Sequence, residues 1–309
     1  MVVKKRRVKK KSGVKKKPSE IGFYDRVYKN GFIDSLKYLG KLRVYLLIAV
    51  ILFLLSGLIG YFDMFSFISP ELSESMGESI IDTIKQLQEE TKDLGTFDLI
   101  TYIMSNNIRT AFFGMIFGIF FSVLPLIILV TNGYILGFVS ELVVNSPLNP
   151  IGVFILWKLV PHGIFEIPAI LIAVALGIKI GTYPMYLKEK GKGYLSILLS
   201  LVVFFFLFSI IFMTLSIIFY PGILTPGPDV SDSTFSNMFD DSLFILFYLI
   251  FAAGCFILSL FLSMKILSID DRKIVKKMMI DSGKVFIFLV VPLLVIAGVI
   301  EGLLIALLG

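Results

Sequence analysis

Residues 44–60 read VYLLIAVILFLLSGLIG, a stretch without a single charged side chain. A helix rises 1.5 Å per residue and the hydrocarbon layer is about 30 Å thick, so roughly 17 to 25 apolar residues cross it. No small-residue cleavage pattern follows the run, which therefore reads as a retained anchor and not as a signal peptide. The same reading picks out Ala111 to Val130, Ile164 to Ile180, Leu195 to Phe219, Leu243 to Met264 and Val285 to Leu308. Six such runs predict an all-α fold, a polytopic transmembrane helix bundle.

Composition agrees, with 57% of the 309 residues hydrophobic, 17% charged and a mean hydropathy of +0.91. The formal charge of +6 is uneven: ten cations lie between Lys4 and Lys17 with no acid among them, and the rest of the chain is net negative. Segment 1–20 therefore reads as a disordered basic tail that adheres to the anionic inner leaflet, with no nucleic-acid role. Residues 21–43 mix Phe23, Val27, Ile33, Leu36, Leu39 and Leu42 with Lys29, Lys37, Lys41 and Arg43, as a basic amphipathic juxtamembrane segment does. One cysteine (Cys255), one histidine (His162) and one tryptophan (Trp157) exclude a disulfide framework, a Cys/His zinc ribbon and any two-histidine site.

Loop charges orient the transmembrane domain, 44–309. The segment 61–107 carries nine acids against Lys85 and Lys92, and Pro221 to Asp241 carries four acids and no base. Lys179, Lys188, Lys190 and Lys192, and then Lys265, Arg272, Lys273, Lys276, Lys277 and Lys284, mark the opposite side, so the N-terminus is expected in the cytoplasm of a multi-pass cell-membrane protein. Within 61–107, Ser69-Pro70-Glu71 has a cap, an N1 proline and a first-turn acid, and Met76, Ile80, Ile84 and Leu87 recur at helical spacing. An amphipathic outer helix is expected there, offering the largest docking surface for a partner.

Six crossings leave the chain on one side both before and after Ile164 to Ile180. Something more must enter the membrane: either Tyr134 to Val144 is a thin seventh crossing, or Ile151 to Val160 is a re-entrant half-helix that turns back at Pro161, His162 and Gly163, with Pro168 beyond.

An intramembrane Asp, Lys or Arg costs about 2.5–3.5 kcal/mol on insertion scales, so the few polar residues in the runs call for a partner or a task. Glu166 and Glu301 lie roughly 22 and 24 Å from the basic side, counting 1.5 Å per residue, and so are expected at one level. Arg109 is read as the outer start of the second crossing beside Asn106 and Asn107, within reach of both carboxylates; His162 precedes Glu166 by one turn. Three stripes of small residues, Ala169/Ala173/Gly177/Gly181, Gly298/Gly302/Ala306 and Thr110/Gly114/Gly118/Ser122, predict close packing of these helices. Asn106, Asn107, Arg109, His162, Glu166 and Glu301 form either a structural polar cluster or a pocket for an ion, a proton or a lipid headgroup. His162, Glu166 and Glu301 could also hold a divalent metal, but no HExxH pairing is present, and no metal or cofactor is expected. The absence of nucleotide-binding loops and of a Ser/His/Asp set speaks against an enzyme.

The stretch LVPHGIFEIPAILIA (residues 159–173) resembles the signature of the stage II sporulation protein M family. Asn106-Asn107 with Arg109 and Ala111, Asn132-Gly133, and Ala297-Gly298 with Ile300-Glu301 resemble its flanking pattern, and the similarity runs from about Leu42 to the C-terminus. The resemblance implies a polytopic membrane protein that localises cell-wall hydrolases or other envelope components. The function expected is thus a non-enzymatic membrane scaffold with envelope or membrane protein partners and with self-association open to it. The alternatives are a transporter or flippase working through the His/Glu/Glu/Arg site, and a membrane metallohydrolase.

Overall fold

The computed structural model describes residues 28–91, 93–145, 150–219 and 242–308, and every regular element among them is helical. The basic tail, the start of the juxtamembrane segment and the acidic stretch Pro221 to Asp241 lie outside the described residues. A π turn (Tyr28–Ile33) leads into α1 (Asp34–Gly40), α2 (Arg43–Tyr61), α3 (Pro70–Thr91) and α4 (Thr96–Ile116). Then come α5 (Val123–Asn145), α6 (Pro150–Gly181), α7 (Lys190–Phe219), α8 (Ser242–Met264) and α9 (Ile269–Val285), which continues through a π segment (Phe286–Val290) into α10 (Val291–Leu308).

Six helices are long and apolar enough to cross a membrane: Arg43–Tyr61, Val123–Leu142, Gly163–Gly181, Lys190–Phe219, Phe244–Met264 and the continuous Ile269–Leu307. Five coincide with the expected runs. The run Ala111 to Val130 does not form one helix, because the chain turns between α4 and α5, with Phe121 and Ser122 at φ 54° and 62°. Hydropathy cannot register this turn because it is buried in rings: Phe117 and Phe120 pack on Phe204 and Phe256, with centroids 4.8 to 6.3 Å apart. Ser122 just before the helix and Pro125 in its first turn are the start signal that was there to be read.

The turn resolves the parity problem differently from either expectation. Tyr134 to Val144 is the second half of α5, not a separate thin crossing, and α6 runs unbroken from Pro150 through Pro161, His162, Gly163 and Pro168 to Gly181. The additional crossing is α4, which carries Asp98, Asn106, Asn107 and Arg109 and is too polar for hydropathy alone; it packs between α6 and α10. Seven helices thus traverse the bundle, so α2 starts at one face and α10 ends at the other.

The helices meet through glycine. On α2 and α5, Gly57 and Gly60 face Gly133, Tyr134 and Gly137 so closely that a methyl at Gly133 would lie 2.6 Å from the Phe53 carbonyl oxygen. Gly114 of α4, with Gly118 and Ser122 of the turn that follows it, faces Gly177 and Gly181 of α6, and Ser122 Oγ donates to the Ile178 carbonyl at 3.3 Å. On α10, Gly298 and Gly302 rest on the α4 backbone at Met104 and Ile100. Three of these five partners, α4, α6 and α10, carry the stripes read from sequence; the α2/α5 pair was not anticipated. Lipid tails are as apolar as leucine, so such backbone approach, and not exclusion from water, holds the helices together.

Helix α3 lies against the acidic end of the bundle. It begins at Pro70, as expected, with Ser69 Oγ accepting from the Leu72 N–H at 3.2 Å. Gly77 is buried against the Phe138 ring of α5, with Ser73, Met76 and Ile80 half-buried on the same face. The Tyr102 hydroxyl of α4 donates to Glu90 at 2.9 Å and fixes the far end.

Gly118→Ala and Gly137→Ala should each destabilise the detergent-solubilised protein by about 1–3 kcal/mol, because each methyl lands on backbone that cannot yield. Gly254→Ala and Gly283→Ala, which meet nothing within 4 Å, should leave the thermal midpoint unchanged or raised by the equivalent of about 0.5–1 kcal/mol. Thermal unfolding of the four variants checks this.

Candidate functional site

The signature segment lies in the first two-thirds of α6, and its carboxylate opens on a cavity. Glu166, Gly163, Ile167 and Ile170 of α6, Asn132, Ile135, Leu136 and Val139 of α5, and Phe53 of α2 line a half-open cavity of about 140 Å³. The wall is apolar apart from Glu166 and Asn132. Asn132 spends one N–H on the Ile128 carbonyl, at 2.7 Å, leaving its amide oriented along α5 beside the carboxylate-bearing helix. A cavity of this size, with a carboxylate and an amide in its wall, has room for several waters or a small solute.

Glu301 occupies a different seam. It lies one turn beyond Ala297 and two beyond Leu294, both fully buried, on the face of α10 that meets α4 and α6. Glu166 and Glu301 are each half-buried. Gly298 and Gly302 register α10 on Met104 and Ile100, and Gly177 registers α6 on Gly114 and Gly118. Measured along α4, the two carboxylates therefore stand within about one turn of the same height, roughly 6 Å at 1.5 Å per residue.

Arg109 is not where sequence placed it. The crossing begins at Thr96, so Arg109 lies thirteen residues inside α4, and not at its outer start. It is exposed, on the side of the helix away from the α6 and α10 contacts, and its Nη2 donates to Asn106 Oδ1 at 3.0 Å. Asn106 and Asn107 are half-buried one turn before it. The side chains of His162 and Pro161 lie outside the described residues; their backbone continues the helix, one turn ahead of Glu166. No three His, Cys, Asp or Glu side chains gather as a metal site among the described residues.

The basic end of the bundle holds a second polar cluster that was not singled out. Lys179, on the last turn of α6, is only 8% exposed, and its Nζ lies 4.3 Å from the centre of the Tyr38 ring. Tyr45 bonds both Thr182 and Tyr186 through its hydroxyl. Burial first, then the bond from Tyr45, pushes the Tyr186 hydroxyl up to about 12. Nearby, the buried Asp271 accepts from the Lys188 N–H at 3.1 Å, and Arg272 closes the end of α8 by donating to the Leu267 and Lys265 carbonyls. Asn132 and Lys179 are what the sequence reading missed. Asn132 stood out only as part of a family pattern, and Lys179 looked like one more interfacial lysine.

Six helices long and apolar enough to cross a membrane, packed together with the more polar α4, define a multi-pass membrane protein. Residues 47–219, more than half of the chain, match Stage II sporulation protein M, and the protein belongs to that family. The match includes the 159–173 signature, the Asn106 to Ala111 segment and Asn132-Gly133; Ala297 to Glu301 falls beyond it. No curated protein and no solved structure matches the chain.

If water reaches the cavity between Asn132 and Glu166, a cysteine at Ile135 should react with a small water-soluble thiol reagent at least about tenfold faster than one at the fully buried Leu129, since polar cavities of this size are hydrated. The native Cys255 is buried and should give little background. Equal, slow labelling at both positions would mean a dry pocket.

Proposed function

We propose that this protein is a non-enzymatic membrane scaffold whose α3 surface engages an envelope component. The observation that carries the reading is the two-sidedness of α3. One face is held on α5 by Gly77 and on α4 through Glu90, while Glu71, Glu74, Glu78, Asp82 and Glu89 all point away from the bundle. Exposed carboxylates spaced along one fixed helix present a ready-made acidic strip, which suits a basic or hydrogen-bond-donating partner and costs no ordering on binding. Family membership supports a membrane role, and the basic tail Lys4 to Lys17 supports adhesion to anionic lipid on the opposite side. In this reading the N-terminus is cytoplasmic, the basic face lies inward and α3 faces outward, following the charge bias of the loops. A second copy of the chain is a further candidate partner.

Replacing Glu71, Glu74, Glu78 and Asp82 together by lysine should leave the bundle folded and abolish recovery of the partner from gently solubilised native membranes. Recovery equal to wild type would overturn the proposal. Single cysteines at Glu78 and Lys273 test the orientation: only the first should label in intact cells.

The cavity favours a second reading, passage of a small solute or ion past Glu166. Glu166→Gln and Glu301→Gln would then each abolish uptake in proteoliposomes at unchanged expression, whereas a scaffold would retain partner recovery in both.

A further inference from the structure

Arg109 places a charge on the outer side of a membrane-spanning helix. Gly114 of α4 faces Gly177 of α6 and the two helices run the same way, so Arg109 stands level with about Ile172. At 1.5 Å per residue that is roughly 20 Å from the start of α4 and roughly 13 Å from the end of α6 at Gly181, well inside a hydrocarbon layer about 30 Å thick. Its side chain is nevertheless exposed, and among the described residues no carboxylate pairs with its guanidinium. An arginine in lipid escapes by carrying its charge along its stem to the nearer interface. Here Asn106, one turn toward the farther one, accepts from Nη2 at 3.0 Å and keeps the charge inside. Hydrocarbon covers such a group only at a large cost, so a polar group is required there.

The side chains around it are spaced for a helix. Asp98, Tyr102, Ser105, Arg109 and Phe112 are all exposed, at intervals of four, three, four and three residues. That is the heptad interval, which keeps a strip of side chains facing a second helix that crosses at about 20°. The opposite side of α4 is already occupied, by α6 at Gly114 and by α10 at Ile100 and Met104. Rings border the strip at its inner end: Phe112 meets Phe286 of the α9/α10 rod at 5.6 Å, and Phe117 meets Phe256 of α8 at 4.8 Å. At its outer end the Tyr102 hydroxyl is tied to Glu90 of α3.

We propose that this strip seats a transmembrane helix of another protein, and that the helix carries an Asp or Glu at the depth of Arg109. A carboxylate there forms a charge-assisted pair with the guanidinium, and each removes the cost of the other in lipid. The small Ser105 lets the two backbones approach beside the pair. A second copy of this chain does not fit: a two-fold axis along the membrane normal sets Arg109 against Arg109 at equal depth, and Glu166 and Glu301 are half-buried in the seams already described. The proposal rests on the scaffold reading, to which it adds a membrane-anchored partner, but not on α3 as the docking surface.

The test uses the full chain in its native membranes, with a photo-crosslinking phenylalanine analogue at Ser105 and, as a control, at the exposed Leu54 of α2. Leu54 should give lipid adducts. Ser105 should give a protein adduct whose crosslinked peptide maps to an apolar span with an Asp or Glu within about one turn of the site. Arg109→Leu should reduce that adduct about tenfold or more, and in Arg109→Glu the exchange of the partner's acid for lysine should restore it. The thermal midpoint of the purified chain should be unchanged in Arg109→Leu, which separates loss of the adduct from loss of the fold; a lowered midpoint would assign Arg109 to the bundle itself and overturn the proposal. So would lipid adducts alone at Ser105, an adduct within this chain or to a second copy, an adduct on a span without an acid, or one that Arg109→Leu leaves undiminished. Partner recovery that depends on α3, with lipid adducts alone at Ser105, would keep the scaffold and remove this seat. A charge-dependent helix adduct, with recovery indifferent to the α3 substitutions, would remove α3 and keep the seat.

Discussion

Backbone-to-backbone contact through glycine is the constraint on which the bundle depends. Apolar side chains gain nothing by leaving lipid for protein, so helices that are to stay together need either close van der Waals contact or hydrogen bonds across the interface. Here Gly57, Gly133 and Gly137 join α2 to α5, Gly118, Gly177 and Gly181 join α4 to α6, and Gly298 and Gly302 join α10 to α4. The α4/α6/α10 set forms one block because α4 is shared by two of these contacts. That sharing covers two sides of α4 with protein, while Arg109, on the uncovered side, is held by Asn106.

How much of this was legible follows from what each signal measures. Hydropathy reports whether a stretch tolerates hydrocarbon, so it found α2, α6, α7, α8 and α10, where lipid covers one side of a continuous helix. It failed at Phe117 to Ser122 because a turn sealed by Phe204 and Phe256 is as apolar as the helices that it joins. It failed again at Thr96 to Asn107, where Asp98, Asn106 and Asn107 lower the hydropathy of a helix that Gly298 and Gly302 of α10 hold in the bundle. Proline misled in the opposite direction. Pro161 and Pro168 suggested a broken helix, yet α6 continues through both, as membrane helices can when neighbours and side chains satisfy the freed carbonyls.

The candidate site was legible in height but not in contacts. Counting residues from the basic side placed Glu166 and Glu301 at similar depth, and the glycine register along α4 puts them within a turn of each other. Rise per residue is a property of any helix, so depth survives errors in packing. Neighbours do not: the facing of Glu166 toward Asn132 and Phe53 depends on how α2 and α5 dock, and the α2/α5 glycines went unread. Arg109 was misplaced for the same reason as its helix, since its depth was counted from a start thirteen residues too late.

Helix α6 links the two polar features that matter most. It carries Glu166 in the cavity and, thirteen residues further on, Lys179 at the basic end, a separation of roughly 20 Å at 1.5 Å per residue. Both charges lie on faces packed against protein, Glu166 beside α5 and Lys179 beneath α1, while the residues between them, Ala169, Ala173 and Leu176, are buried without a polar atom. An apolar plug of this kind separates the cavity from the basic face, so a solute that enters at Glu166 has no continuous polar path along α6.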